Sequence, residues 1–150
     1  MAFVIRDAVE EDAEVILNFI LALSSHTNSQ KYVLVDVETL KNHGFGRDRK
    51  FGTLLAEIDG TTVGYLCYQW DYSIWAGSHF MYVQNIYVLE QHRRIGIGSA
   101  LMDEARAVCK NNGLGHMKWE IDTDNVSAIE FYERTGATVS DRRIGSCTVT

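Results

Sequence analysis

The sequence predicts a mixed α/β (α+β) domain, in which a central, mostly antiparallel sheet of 6–7 strands carries helices on both faces. Its 150 residues suit one domain, so we expect a single domain over residues 1–150. Tight turns join the early strand patterns, which is typical of antiparallel pairs. A later strand–helix–strand unit requires a parallel crossover, which makes the sheet mixed.

The first third of the chain carries one strand pattern and two helix patterns. Ala2–Arg6 reads as a short strand. Glu10–Ser25 predicts a helix, because apolar residues recur there at helical spacing, namely Val15, Ile16, Phe19, Ile20 and Leu23. Asp36–His43 predicts a second helix, which Gly44 ends.

The middle of the chain is rich in strand patterns. Phe51–Ile58 and Thr62–Trp70 flank Asp59-Gly60, which predicts a hairpin. A third strand, Phe80–Leu89, follows a loop that contains Trp75. Several aromatic side chains of this region could line a ligand pocket, or else form a core face and a subunit contact.

The last third alternates between helix and strand patterns. An amphipathic helix begins near Ile97 and ends near Asn111–Gly113, with Leu101, Ala105 and Val108 on the face of Ile97. The further predicted elements are a strand at His116–Ile121, a helix at Val126–Arg134, and strands at Ala137–Val139 and Ser146–Val149.

Charge and cysteine content exclude several classes of protein. The chain has 14 basic and 20 acidic residues, a balance opposite to that of a general nucleic-acid binder. Cys67, Cys109 and Cys147 are odd in number and far apart, which indicates reduced thiols and a cytoplasmic protein. The opening residues are too short an apolar run for a signal peptide, and no stretch approaches the ~18 apolar residues of a membrane span. We therefore expect no membrane or nucleic-acid partner, and no metal.

The most informative segment is Gln91–Leu101, which lies between a strand and an amphipathic helix. Gly96 and Gly98 leave the backbone open to a ligand, and successive amides at a helix start suit a pyrophosphate. Arg93 and Arg94 add positive charge at the same end. A dinucleotide fingerprint is excluded because Leu101 stands where its third glycine is needed, and the ending of a Walker loop is absent. An ordinary loop with two glycines stays open as an alternative.

Two motifs carry a resemblance to a known family. Arg93-x-x-Gly96-x-Gly98 resembles the acetyl-CoA-binding signature of the GNAT superfamily of N-acetyltransferases, and Asp124–Ala137 resembles its second signature. The resemblance implies the GNAT fold and acetyl transfer from acetyl-CoA to a primary amine of a small molecule, by direct attack in a ternary complex. It also implies a homodimer. A non-catalytic acetyl-CoA-binding module and a protein or peptide N-acetyltransferase are the alternatives.

The resemblance also assigns roles to individual residues. Tyr132 matches the tyrosine that protonates the leaving thiolate; a core tyrosine with a satisfied hydroxyl is the alternative. The positions that match the cofactor site are Ile86, Tyr87, Val88, Arg93, Arg94, Ile95, Gly96, Ile97, Gly98, Ser99, Asn125 and Ala128. Ile86 and Val88 also alternate as in any half-buried strand, and Asn125 suits the N-cap of a helix.

A narrower resemblance links the chain to the diamine (spermidine/spermine) acetyltransferase branch, through Phe3–Arg6, Asp48–Phe51, the Trp75–Gly77 loop and Arg93–Ser99. The chain departs from this branch at its acceptor site. Gln84-Asn85 replaces an acidic pair, and His26-Thr27 replaces a tyrosine and a glutamate.

Amides neither accept a proton as a base nor offer a full charge to an ammonium group. We therefore expect His26, Thr27, Gln84 and Asn85 to bind a smaller amine or an amino acid rather than a long polycation. The proton acceptor stays open among a water chain, Asp71, His79 and His26.

Overall fold

The computed structural model describes residues 2–149 of the chain, which contain one sheet of five strands in the order β1-β2-β3-β4-β5. The strands are β1 (Val4–Asp7), β2 (Gly52–Ile58), β3 (Thr61–Ser73), β4 (Ser78–Val88) and β5 (Met117–Trp119). The first three pairings are antiparallel and β4 pairs with β5 in parallel. The mostly antiparallel, mixed sheet is thus confirmed.

The predicted number of 6–7 strands is wrong, because two C-terminal segments do not form strands. Within residues 2–149, neither Ala137–Val139 nor Ser146–Val149 belongs to the ladder of the sheet. Val149 is 90% exposed, and residues 140–149 have no buried face. A short apolar pattern becomes a strand only where a neighbouring strand accepts its hydrogen bonds and one face is covered.

All four predicted helices are present: α1 (Ala13–His26), α2 (Val37–His43), α3 (Ile97–Asn111) and α4 (Val126–Arg134). The first helix begins later than its periodicity predicts, since Glu10–Asp12 forms a 3₁₀ turn. Two further 3₁₀ turns lie at Gln30–Tyr32 and Glu90–His92.

The chain forms two compact units, Met1–Trp119 and Glu120–Thr150. The first unit contains the whole sheet with α1, α2 and α3, and the second contains α4.

In the first unit, helices cover both faces of the sheet. Leu55, Tyr65 and Cys67 form a buried cluster with residues of α1, including Ile16 and Phe19. Side chains alternate along a strand, so residue 64 points to the opposite face. A Cβ placed at Gly64 would lie 3.3 Å from Cγ2 of Ile97 in α3. The predicted two-sided arrangement is therefore confirmed, and each large side chain fully buried in it contributes roughly 1.5–3 kcal/mol to stability.

An ion-pair network fixes the start of α1 against the sheet. Nη1 of Arg6 donates to Oδ2 of Asp12 at 2.7 Å, and its Nε donates to Oε1 of Glu57 at 2.9 Å. The hydrogen bond from Arg6 lowers the pKa of Asp12, so this carboxylate stays charged at neutral pH. Because α1 runs from this anchor to His26, the network also sets where His26 lies.

A β-bulge divides β4 into two parts. Cys67 lies opposite Asn85 and Tyr68 lies opposite Val83, so Gln84 is an extra residue in β4. The parallel pairing with β5 involves Met81–Val83. From Gln84 to Val88, the edge of β4 beyond β5 has no partner strand among residues 4–119. Beyond the bulge, the backbone of β4 on the side of β5 is therefore available to hydrogen-bond another group.

Candidate active site

The turn that follows β4 presents a row of backbone amides for which residues 2–149 supply no acceptor outside the helix. Gly96 is the N-cap of α3 with φ +92°, and Arg94 also has a positive φ, of +68°. The first backbone hydrogen bond of the helix runs from Ala100 N–H to Gly96 O, at 3.0 Å. No side chain caps this helix, and within residues 2–149 no carbonyl outside the helix accepts an N–H of residues 94–99. Such a row, together with the helix dipole, suits an anionic group.

The space outside this turn is open. A Cβ at Gly96 or at Gly98 would meet no atom within 4 Å. The positive φ of Gly96 explains the glycine there, whereas Gly98 has neither a positive φ nor a close neighbour that would require it. Among the residues of the first unit, no close contact therefore requires a glycine at position 98. The backbone at this position is open to the close approach of a ligand such as a diphosphate.

Arg93 ties the turn to the end of β4. Its Nε donates to Val88 O at 2.8 Å, and its guanidinium lies 5.2 Å from the ring centroid of Tyr87. Arg94 is exposed and has no ion pair among residues 2–149. Arg94 therefore places an unpaired positive charge next to the amide row. Arg93 contacts the end of β4 and so helps to position the turn.

The predicted cofactor strand lies directly before this turn. Ile86, Tyr87 and Val88 pair with Leu66, Tyr65 and Gly64 of β3, and all three are half-buried. Their other edge is the part of β4 that continues past β5. The side chains pack as in any half-covered strand, and the backbone of the free edge can pair with an extended ligand.

Three hydrogen bonds link four residues around the bulge into a polar row, which consists of Tyr65, Asn85, Gln84 and Gln69; one of the bonds ends on the backbone carbonyl of Gln84. Tyr65 Oη donates to Asn85 Oδ1 at 3.0 Å, Asn85 Nδ2 donates to Gln84 O at 2.6 Å, and Gln84 Nε2 donates to Gln69 Oε1 at 2.7 Å. Burial raises the pKa of Tyr65, so its phenol stays protonated and serves as a donor. The polar row contains no carboxylate.

The sequence did not point to Gln69. It meets Gln84 only because the bulge turns the extra residue of β4 toward β3. No local pattern in the sequence signals that contact.

The two predicted residues at the end of α1 have different surroundings. The ring centroid of His26 lies 5.8 Å from that of Tyr87, so His26 is brought to the cofactor strand. The hydroxyl of Thr27 donates to Leu23 O at 3.1 Å, within the last turn of the helix. His26 is therefore the residue of this pair whose side chain reaches β4.

Asp71 and His79 lie on the outer part of the β3–β4 hairpin. Nδ1 of His79 lies 3.2 Å from Asp71 O, and the ring of His79 packs edge-on against Tyr72. Both residues are exposed. They pair with Phe80 and Tyr72 respectively, well before the bulge at Gln84, so the structure does not bring them to the polar row.

The second unit contains the remaining predicted site residues. Asn125 is the N-cap of α4, and its Oδ1 accepts a hydrogen bond from Ala128 N at 3.2 Å. Tyr132 is buried, and its ring packs edge-on against Phe131 with centroids 5.2 Å apart. Burial raises the pKa of Tyr132, which keeps its hydroxyl protonated.

Comparisons with known proteins identify the family of the chain. The model of the acetyltransferase (GNAT) family matches residues 17–137. Thialysine N-epsilon-acetyltransferase of Mus musculus is 31% identical over 141 residues, which cover 89% of this chain and 82% of the mouse protein. Spermidine/spermine N(1)-acetyltransferase-like protein 1 of Homo sapiens is 26% identical over 142 residues, covering 90% of this chain and 20% of the human protein.

The fold is also similar to that of solved acetyltransferases. An aminoglycoside acetyltransferase from an uncultured soil metagenomic sample, crystallised with trehalose, superimposes with a TM-score of 0.82 at 18% identity, over 99% of this chain and 96% of that one. None of the helices in residues 2–149 has the length and apolar composition needed to cross a bilayer. The family match covers most of the chain, and the narrower likeness to the spermidine/spermine branch is present as well. The chain therefore belongs to the GNAT family of acetyltransferases.

Proposed function

We propose that this chain transfers the acetyl group of acetyl-CoA to the primary amine of a small molecule, by direct attack in a ternary complex. We further propose that residues 1–150 act as one domain, since the family match at residues 17–137 draws on both compact units. The observation that carries the proposal is the row of unbonded amides at residues 94–99, in a chain of this family.

The chain's own groups supply a binding site for the donor. The amides of residues 94–99 and the charge of Arg94 hold the pyrophosphate, while the free edge of Ile86–Val88 pairs with the pantetheine arm. In the second unit, Asn125 and Ala128 contribute further contacts. Bound acetyl-CoA supplies an acetyl group that is activated as a thioester. No metal is needed for this chemistry.

The polar row suits an acceptor with few positive charges. Gln84 and Asn85 offer amide dipoles rather than carboxylates, so they bind an ammonium group more weakly than an acidic pair does. A polycation gains its affinity from such carboxylates, whereas a smaller amine or an amino acid depends less on them. The similarity to a thialysine N-epsilon-acetyltransferase supports an amino-acid acceptor.

Three proton movements accompany the transfer. The acceptor ammonium group first loses one proton to His26 or to a water next to Tyr87, which frees the nitrogen lone pair for attack on the acetyl carbon. As the carbon–nitrogen bond forms and the carbon–sulfur bond breaks, the nitrogen loses a second proton to solvent. Tyr132 Oη donates a proton to the leaving sulfur and is then reprotonated from solvent. Its raised pKa keeps the phenol in the donating form at neutral pH. An alkyl amine has a pKa near 10.4, so the first deprotonation of the acceptor is the hardest of these steps at neutral pH.

We also place this enzyme in the cytoplasm as a homodimer. The three free cysteines suit a reducing compartment. Ile74 and Trp75 are exposed apolar side chains in the turn between β3 and β4, which is suited to contact with a second copy of the chain. Light scattering on the wild type and on Trp75→Ser is expected to give a dimer that the substitution weakens; a monomer in both would contradict the assignment.

The activity is tested by incubating the purified chain with acetyl-CoA and a panel of amines, including L-lysine, L-ornithine, thialysine, putrescine and spermidine. Release of free thiol and the mass of the product are measured together. We expect acetylated product from the amino acids, with spermidine turned over less well. Binding of acetyl-CoA without product from any amine would overturn the proposal in favour of a non-catalytic module.

A further inference from the structure

A basic groove opens at the start of β2, on the far side of the bulge from the turn at Gly96–Gly98. Its volume is about 250 Å³, and it is lined chiefly by Arg47, Arg49, Lys50, Tyr68, Gln69 and Trp70. None of these six residues belongs to the cofactor turn or to the cofactor strand.

The positive side chains of this groove form no ion pair with the part of the chain that the structure describes. Arg47, Arg49 and Lys50 are exposed, and none of them forms an ion pair within residues 2–149. Arg49 makes a single long hydrogen bond, from Nη2 to Tyr68 Oη at 3.4 Å. Three unpaired cations in one groove are notable in a chain with a net charge of −6. Such a groove attracts an anion.

The groove and the polar row share one residue. Gln69 lines the groove, and its Oε1 accepts the 2.7 Å hydrogen bond from Gln84, the bulged residue of β4. A molecule with its amine at the polar row would reach the three cations by extending past Gln69. A second ammonium group would be repelled there, while a carboxylate would be attracted.

Resting on the proposed function, we infer that this groove binds the α-carboxylate of an amino-acid acceptor whose side-chain amine is acetylated at the polar row. Arg47, Arg49 and Lys50 are specificity residues that contact the acceptor away from the reacting nitrogen. The charge pattern, neutral at the bulge and positive beyond it, is the reverse of what a diamine requires.

The test compares L-lysine with cadaverine, the same molecule without its carboxylate. We expect the wild type to have the higher kcat/KM for lysine. The ratio of the two kcat/KM values should fall about tenfold or more in Arg49→Gln combined with Lys50→Gln, mainly through KM for lysine, because carboxylate binding is lost. Arg106→Gln removes the same type of charge from α3, where Arg106 pairs with Asp103 at 2.8 Å, and should keep the wild-type ratio.

Calorimetry separates failure of this inference from failure of the proposed function. Lysine binding that is tighter than cadaverine binding, and that weakens in the double variant, would support the groove even without turnover. An unchanged ratio in the double variant, or a wild type that prefers cadaverine both in turnover and in binding, would overturn the inference while leaving acetyl transfer intact. Melting temperatures of all variants check that the fold is kept.

Discussion

The hydroxyl of Tyr65 donates a 3.0 Å hydrogen bond to Oδ1 of Asn85, and so joins the core under α1 to the strand residue next to the bulge. Tyr65 is fully buried, with its ring 5.4 Å from that of Phe19. A core residue thus fixes the orientation of a proposed acceptor-site amide. Rigid support of this kind keeps a binding group in place without cost at the moment of binding.

Tyr65→Phe should therefore affect both stability and acceptor binding. The aromatic packing stays, but Asn85 Oδ1 loses its donor, so we expect a loss of about 1–2 kcal/mol in the free energy of unfolding. The KM for the amine should rise more than the KM for acetyl-CoA. Tyr72→Phe, on the exposed hairpin, is the matched control and should change neither quantity. Equal kinetics in wild type and Tyr65→Phe would show that Asn85 is not part of the acceptor site.

Gln84→Glu places a carboxylate in the polar row. The amide of Gln69 can rotate to donate to the new carboxylate, so the fold should tolerate the change. Because the carboxylate attracts the ammonium group of either amine, we expect kcat/KM to rise roughly tenfold for both lysine and putrescine. Steady-state kinetics with both amines measure this. Values of kcat/KM that stay at the wild-type level for both amines would place the acceptor amine elsewhere.

Tyr132→Phe tests the proposed acid. If its hydroxyl protonates the leaving sulfur, kcat should fall by roughly 10²–10⁴-fold, while calorimetry should give an unchanged affinity for acetyl-CoA. The alkaline limb of the pH–rate profile, which reflects ionisation of the phenol, should also be lost. Wild-type kcat in this variant would remove Tyr132 from the mechanism and leave it as a buried core tyrosine.

Because the thiol of Cys67 is buried, we expect the protein to lose stability at alkaline pH. Burial raises the pKa of this thiol to about 12. Above pH 9 the unfolded chain therefore releases a proton that the folded chain keeps, so stability falls as pH rises. One such group contributes a slope of about 1.4 kcal/mol per pH unit.

Urea unfolding of wild type and Cys67→Ala at about pH 8, 9 and 10 measures this slope. The variant starts less stable because it loses buried volume, but its stability should decline less steeply. Above about pH 10 the buried tyrosines, whose pKa values are also raised, add a decline that both proteins share. Parallel curves between pH 8 and 10 would contradict the assignment to Cys67.

Local sequence patterns were sufficient for most of the fold. The helices have their own periodicity and end signals, such as Asp36, whose carboxylate accepts Thr39 N–H at 2.8 Å at the start of α2. Asp59-Gly60 predicted the β2–β3 hairpin because both residues adopt the positive φ that its turn needs. The prediction of two C-terminal strands was wrong because a strand forms only next to a partner strand. A short apolar pattern carries no information about that distant partner.

The acceptor site depended on information that the sequence does not carry locally. The bulge at Gln84 depends on the register between two long strands. The sequence near Gln84 contains no signal that this residue is the extra one. The basic groove joins Arg47–Lys50 to residues of β3, about twenty positions further along. The cofactor turn, by contrast, lies in one continuous stretch, Arg93–Ser99, and could therefore be recognised.

The most direct test of the whole account is calorimetry of acetyl-CoA binding to wild type and Gly98→Val. A Cβ at position 98 would meet no protein atom within 4 Å, so we expect the fold to be kept and the approach of the diphosphate to be blocked. Gly115→Val, at a glycine with equally open surroundings and no positive φ, is the matched control. We expect binding to the wild type and the control, and an affinity at least about tenfold lower in Gly98→Val with an unchanged melting temperature. Equal affinity in all three proteins, or no binding to the wild type, would contradict the proposal that this turn holds the donor.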